Sequence, residues 1–374
     1  MNNNIRVGNL FGIPFYVNPS WFLVLGLVTL SYGGQLALFP QLGGITPLIL
    51  GFIAALLLFS SVVAHELGHS FVAISQGIEV KSITLFLFGG LASLEKDSDT
   101  PLDAFLVAIA GPAVSLIIFA FLTLIVGNFS FSAPITAILG LLAYINLILG
   151  LFNLIPGLPL DGGNILKALV WKITGNPNKG IIFASRVGQA FGWLAITIGG
   201  LSILGITRFG SFWTLLIGFF LLQNAGFSAQ SAKFQETLSG YTAQDAVIPN
   251  SPVVSDSLNL REFVNDYVIG KSVWKKFLVT NQEGKLSGVL ELDTLKKVST
   301  SQWTELTISE IMQPIDNSMT LIQADQSLLE VVKLLETDPR QQLTVIKDNG
   351  VVLGLVEKAS VMKFLQQESQ AKTA

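Results

Sequence analysis

Ser61-Val62-Val63-Ala64-His65-Glu66-Leu67-Gly68-His69-Ser70 lies inside a long apolar run, 47–75. Its centre is the pattern H-E-x-x-H, and it contains the only two histidines of the chain. A carboxylate and two imidazoles are costly at lipid depth, so they need a paired or liganded use there. On a helix, residues i and i+4 share one face, so His65 and His69 can both aim at one ion. Glu66 stands one residue off that row, near enough to take a proton from an attacking water without joining the ligands. This set suits Zn²⁺. The alternative is a buried histidine pair hydrogen-bonded to neighbouring helices, which leaves Glu66 unexplained.

Working outward, the whole chain favours a membrane. Of its 374 residues 51% are hydrophobic and 13% charged, where about 25% charged is usual for soluble domains. Mean hydropathy is +0.61. A net charge of −3 argues against a nucleic-acid partner. Cysteine is absent, which removes disulfides and thiol chemistry. The first apolar stretch has no clear small-x-small cleavage site, so it reads as a retained helix.

A crossing takes about 20 apolar residues. Six runs qualify or nearly so: 21–38, 47–75, 102–126, 135–156, 181–206 and 209–227. Between the second and third, Ile83, Leu85 and Leu87 alternate before Gly89-Gly90, which predicts a short re-entrant β segment within 79–95. With Arg6 in the cytoplasm, Lys81, Lys96, Lys167, Lys172, Lys179 and Lys233 all fall inside, and only Arg208 falls outside. Both termini are then cytosolic. From Ser231 charged residues become frequent. The expected organisation is a six-helix transmembrane domain over 1–230, a linker at 231–241 and a soluble α/β domain over 242–374.

A catalytic zinc normally takes three protein ligands. With no further histidine and no cysteine, the third must be Asp or Glu. Asp161 ends the fourth run in Asn153-Leu154-Ile155-Pro156-Gly157-Leu158-Pro159-Leu160-Asp161-Gly162-Gly163. The topology puts it at the same depth and side as the histidines. Glu95, Asp97, Asp99 and Asp103 are rivals in an acidic joint. A plain Asp-Gly turn ending a helix is the other reading of Asp161.

His65–His69 followed by Asn153–Gly163 resembles the site-2 protease family of intramembrane zinc metalloproteases. Gly89-Gly90-Leu91-Ala92 and Ala110-Gly111-Pro112-Ala113 are also similar to that family, and the resemblance covers about 18–227. It implies one Zn²⁺ per chain on His65, His69 and Asp161, with Glu66 as general base. It also implies Asn153 beside the scissile carbonyl, although by spacing Asn153 is equally an interhelical hydrogen-bond donor. The implied activity is cleavage of a membrane-protein substrate helix near the cytosolic face, most readily in the cell membrane. The helix must unwind to expose its carbonyls, and the extended stretch 83–88 offers an edge for it.

In the C-terminal part, Ala246-Val247-Ile248-Pro249 aligns with Ile311-Met312-Gln313-Pro314, 65 residues later. Lys285–Leu290 aligns with Gly350–Val356 at nearly the same offset. The pair resembles a tandem CBS module over about 242–366, which implies self-association as a homodimer. The family's nucleotide-binding Asp positions are Thr294 and Ser360 here, beside Glu291 and Glu357, so nucleotide binding is not expected. Two other functions fit the domain order. One is a transporter with a CBS sensor, which needs polar residues spread along several spans. The other is a non-catalytic binding relative, which has no need of Glu66.

Overall fold

The computed structural model describes residues 4–87, 89–269, 274–315, 320–338 and 342–371. It divides into two compact units, Met1–Lys233 and Phe234–Ala374.

The apolar runs of the first unit fold as long helices. These are α1 (Ser20–Leu36), α2 (Thr46–Ser75), α3 (Pro101–Asn128), α4 (Ala133–Asn153), a shorter amphipathic α5 (Asp161–Thr174), α6 (Pro177–Ile203) and α7 (Phe212–Ser239). Five of them, α2, α3, α4, α6 and α7, are long and apolar enough to cross a membrane; α1 is apolar but has 17 residues. Proline opens α3 and α6 and stands near the start of α2 and α4, where no intrahelical N–H is lost. α7 runs on through most of the stretch expected as a linker, because 231–239 lacks a helix breaker.

Glycines set the closest helix approaches. A Cβ on Gly51 of α2 would stand 2.7 Å from Gly33 N and Thr29 O of α1. One on Gly68 would stand 2.9 Å from Ala110 O of α3. α2 can therefore press against α1 and α3 at backbone distance, as small-residue interfaces allow in membranes.

A four-stranded sheet, β1 (Ile5–Leu10), β2 (Ile13–Val17), β3 (Val80–Phe86) and β4 (Gly89–Leu94), packs on α2 in that order. β1–β2 and β3–β4 are antiparallel hairpins, and β2 and β3 join them in parallel. Ile13, Val80 and Ile83 bury against Ala73 of α2, while Val17 and Leu85 bury against Phe59 and Val62. The hairpin at 79–95 agrees with the sequence reading. The N-terminal hairpin does not, since 1–18 carries no clear alternation; Gly8 and Gly12, both at positive φ, break its pattern. The strand order also corrects the expected substrate edge. β3 is interior, hydrogen-bonded to β2 and β4, so the free edge beside α2 belongs to β4. Phe88 lies outside the described residues.

The second unit holds two like halves. In one, β5 (Val253–Ser255) runs parallel to β6 (Lys276–Thr280), which pairs antiparallel with β7 (Leu286–Glu291). This half also takes β8 (Gln313–Pro314) beside β7. In the other, β9 (Leu321–Gln323), β10 (Gln342–Ile346) and β11 (Val352–Glu357) repeat the pattern. The hairpins are equivalent at an offset of 66, from Lys276 to Gln342. Even the register shifts at Val279/Thr280 and Val345/Ile346 correspond. Gly284 and Gly350, both at positive φ, close the two turns. Glu291 pairs with Lys276, and Glu357 accepts from Gln342, so both carboxylates are held by their own sheets.

Gly51→Leu must push α1 and α2 apart. We expect it to cost about 1–3 kcal/mol and to lower the thermal midpoint of the detergent-solubilised protein, while Gly43→Leu in the loop between them leaves the midpoint unchanged.

Candidate metal centre

α2 is 30 residues long, so it rises about 45 Å against a hydrocarbon core of about 30 Å. His65 falls about 30 Å along it, some two-thirds of the way from its start. His65 is 3% exposed. A buried imidazole must place both ring nitrogens, and each of the two histidines does so in the same way.

His69 Nδ1 lies 2.6 Å from the Val107 carbonyl of α3. A carbonyl only accepts, so Nδ1 donates and the neutral ring turns a lone pair on Nε2 inward. His65 Nδ1 lies 2.9 Å from Ser115 Oγ, about two turns further along the same face of α3, and turns its Nε2 to the same point. Asp161 Oδ2 completes a triangle: 3.1 Å to His65 Nε2, 3.3 Å to His69 Nε2 and 3.2 Å between the two nitrogens.

Those sides match a tetrahedron. Zinc bound at about 2.0–2.1 Å requires ligand atoms about 3.3–3.4 Å apart. With Nδ1 of His69 committed as donor, the neutral ring's Nε2 and Oδ2 face each other as acceptors, a repulsion that a proton or a metal cation between them removes. The donor set and its spacing therefore fit a zinc ion. Among the described residues, these are the grouping of His, Asp and Glu close enough for a metal.

Asp161 is fixed by the chain around it. A Cβ on Gly162 would collide with the Leu154 and Ile155 carbonyls, and one on Gly163 with the Leu158 amide. Gly188 of α6 presses on the Leu158 carbonyl as closely. The loop after α4 is thus wedged between α5 and α6, and Asp161 opens α5, where the helix dipole favours a carboxylate.

Glu66 stays outside the triangle. Its Oε2 accepts from the Ala92 amide of β4 at 3.2 Å. Gly90 leaves room for it, since a Cβ there would collide with Glu66 Cγ. Asn153 Nδ2, at the end of α4, lies 3.4 Å from His65 Nε2. The structure therefore brings together His65, Glu66, His69, Asn153 and Asp161, around a cavity of about 460 Å³. The rival acids stay apart from it as ligands: Asp99 pairs with Lys96, Asp103 bonds Thr100 at the start of α3, and Asp97 faces Lys167.

A model described as peptidase family M50 matches residues 53–134 and 127–195. Over 366 residues the chain is 64% identical to sll0528 of Synechocystis sp., whose name assigns it as a zinc metalloprotease; the match covers 98% of this chain and 96% of that protein. The chain belongs to peptidase family M50, the site-2 protease family of zinc metalloproteases. It is an integral membrane protein. It is also 27% identical over 366 residues to the zinc metalloprotease MJ0392 of Methanocaldococcus jannaschii, across 98% of this chain and 97% of that one. The solved site-2 protease from Methanocaldococcus jannaschii aligns over 60% of this chain and 95% of its own, with 30% identity and a TM-score of 0.45.

Sequence reasoning gave no role to Ser115, Val107 or Gly111. Gly111 lies in the Gly-Pro-Ala stretch that the resemblance singled out. A Cβ there would collide with His69 Nε2 and stand 2.6 Å from His65 Nε2, so the site has room for an ion only because residue 111 is glycine.

Ser115→Ala should weaken zinc binding about 10–100-fold, and Gly111→Ala should abolish it. Chelator competition on the purified protein checks both, with the helical content of each variant as the folding control.

Proposed function

We propose that this M50 peptidase is an intramembrane endopeptidase that holds one zinc ion on His65, His69 and Asp161 and cuts a membrane-protein substrate helix near the cytosolic face. The supporting observation is the triangle of two imidazole nitrogens and one carboxylate oxygen beside Glu66, on a membrane-length helix.

When bound, zinc supplies Lewis-acid polarisation of the scissile carbonyl and lowers the pKa of the attacking water. The protein's residues do the rest. Glu66 takes the water proton and returns it to the leaving nitrogen, which turns a poor amide leaving group into an amine. The Ala92 amide holds the Glu66 carboxylate against β4 and so orients it for this transfer. The Asn153 amide reaches the same point from α4 and donates to the carbonyl oxygen as negative charge develops there.

A substrate helix hides its carbonyls in i→i−4 hydrogen bonds, so it must unwind at the cut. The free edge of β4 lines the cavity through Gly90, Leu91 and Ala92 and offers backbone groups to an extended segment. Strand addition there replaces the hydrogen bonds lost in unwinding. β4 thus takes the role that the sequence reading gave to 83–88.

The inner placement of Lys81, Lys96, Lys167, Lys172, Lys179 and Lys233 supports cytosolic termini. The transmembrane domain over 1–230 carries the chemistry. The paired halves over 242–374 fit a CBS module that joins two copies of the chain.

Glu66→Gln should lower kcat about 10²–10⁴-fold while keeping its zinc, measured on a single-span substrate in liposomes beside metal analysis of the same preparation. Equal cleavage by the variant and the unmodified chain would overturn the proposal. The natural absence of cysteine makes topology simple to test. A single cysteine at Ser98 or Lys172 should react with an impermeant maleimide only from the cytosolic side, and one at Gly43 or Phe131 only from the other.

A further inference from the structure

Lys167 departs from the pattern of the other paired lysines. Lys96, Lys276, Lys285 and Lys296 are at least half exposed and sit 2.5–2.8 Å from a carboxylate. Lys167 is 15% exposed, and the nearest carboxylate oxygen, on the 90% exposed Asp97, is 3.8 Å away. Among the described residues its ammonium has no hydrogen-bond partner. Most of its side chain is covered, and the carboxylate nearest its ammonium, a solvated aspartate at that distance, supplies little.

Lys167 and its neighbour Asp97 both line the catalytic cavity. Asp161, Asn164, Lys167 and Trp171 of α5 line it from one side, and Gly90, Ala92 and Leu94 of β4 from another. Lys167 lies six residues from Asp161, about 9 Å along the helix. An extended segment beside β4 covers that distance in about three residues, at ~3.3 Å each.

We infer that Lys167 is a specificity-determining residue that takes a carboxylate side chain of the substrate, two to four residues from the scissile bond, with Asp97 holding its place when the cavity is empty. The inference rests on the proteolytic reading of the same site. Its chemistry is a charge-assisted hydrogen bond, which is stronger than a neutral one. A lipid phosphate offers similar chemistry. The substrate is favoured because the cavity that Lys167 lines is the one that the cut segment must enter.

The test uses the full zinc-loaded chain in zwitterionic liposomes, with single-span substrates carrying Glu, Gln or Lys at each position from four before to four after the cut. At one position Glu should exceed Gln by roughly tenfold in kcat/KM. Lys167→Arg should keep this preference, Lys167→Met should erase it and Lys167→Glu should turn it toward Lys. Asp97→Asn should tighten binding of the Glu substrate. The same ratios should appear as Kd values for the uncleaved substrates on Glu66→Gln, so the preference is read without turnover. A failure of proteolysis appears separately, as no cleavage of any substrate by the unmodified chain. A Glu-to-Gln ratio that is the same in Lys167→Met and the unmodified chain overturns the inference. So does a dependence on anionic lipid with no dependence on the substrate residue.

Discussion

Three electron pairs converge within 3.1–3.3 Å of one another on a membrane-length helix. Two are on imidazoles whose far nitrogens already have partners, Val107 for His69 and Ser115 for His65, and the third is on a carboxylate. Such a meeting is repulsive until a proton or a metal cation lies between the groups, and the spacing fits a zinc ion. The surrounding fold can be understood as what holds these groups in place for that ion.

That constraint explains where the helices touch. α3 supplies the Val107 carbonyl and Ser115 hydroxyl that orient the rings, and it must approach α2 at Gly68 and Gly111 to do so. The loop after α4 must bring Asp161 back to α2, and glycines at 157, 162, 163 and 188 let it wedge between α5 and α6. The sheet sits on the same helix and lends Ala92 to Glu66. A larger side chain at any of these contacts must displace the backbone or side chain it meets. The precision comes from backbone against backbone, since apolar side chains gain little from leaving lipid for one another.

Much of this was legible in the sequence, for physical reasons. A charge in an apolar run is conspicuous, so His65, Glu66 and His69 stand out. Eliminating other ligand types leaves an acid, and counting crossings singles out Asp161 from its rivals Glu95, Asp97, Asp99 and Asp103 as the one at the depth of the histidines. The long helices follow from bilayer thickness, and the hairpin at 79–95 from alternation before paired glycine. Other features leave no such trace. The order of strands is a tertiary fact, so the free edge could not be assigned to β4 rather than to 83–88. The N-terminal hairpin pairs with β3 across some 70 residues and has too irregular a pattern to announce itself. Val107 acts through its backbone, which any residue provides. Lys167 reads as one more inner-side positive charge until its burial is known.

The central claim concerns the coordination of one ion, and zinc K-edge X-ray absorption on the full chain measures it directly. The account predicts one zinc per chain with two imidazole nitrogens, and with nitrogen and oxygen ligands only, at about 2.0–2.2 Å, and the loss of one protein oxygen in Asp161→Ala. A spectrum without imidazole scattering, or one that Asp161→Ala leaves unchanged, would contradict it.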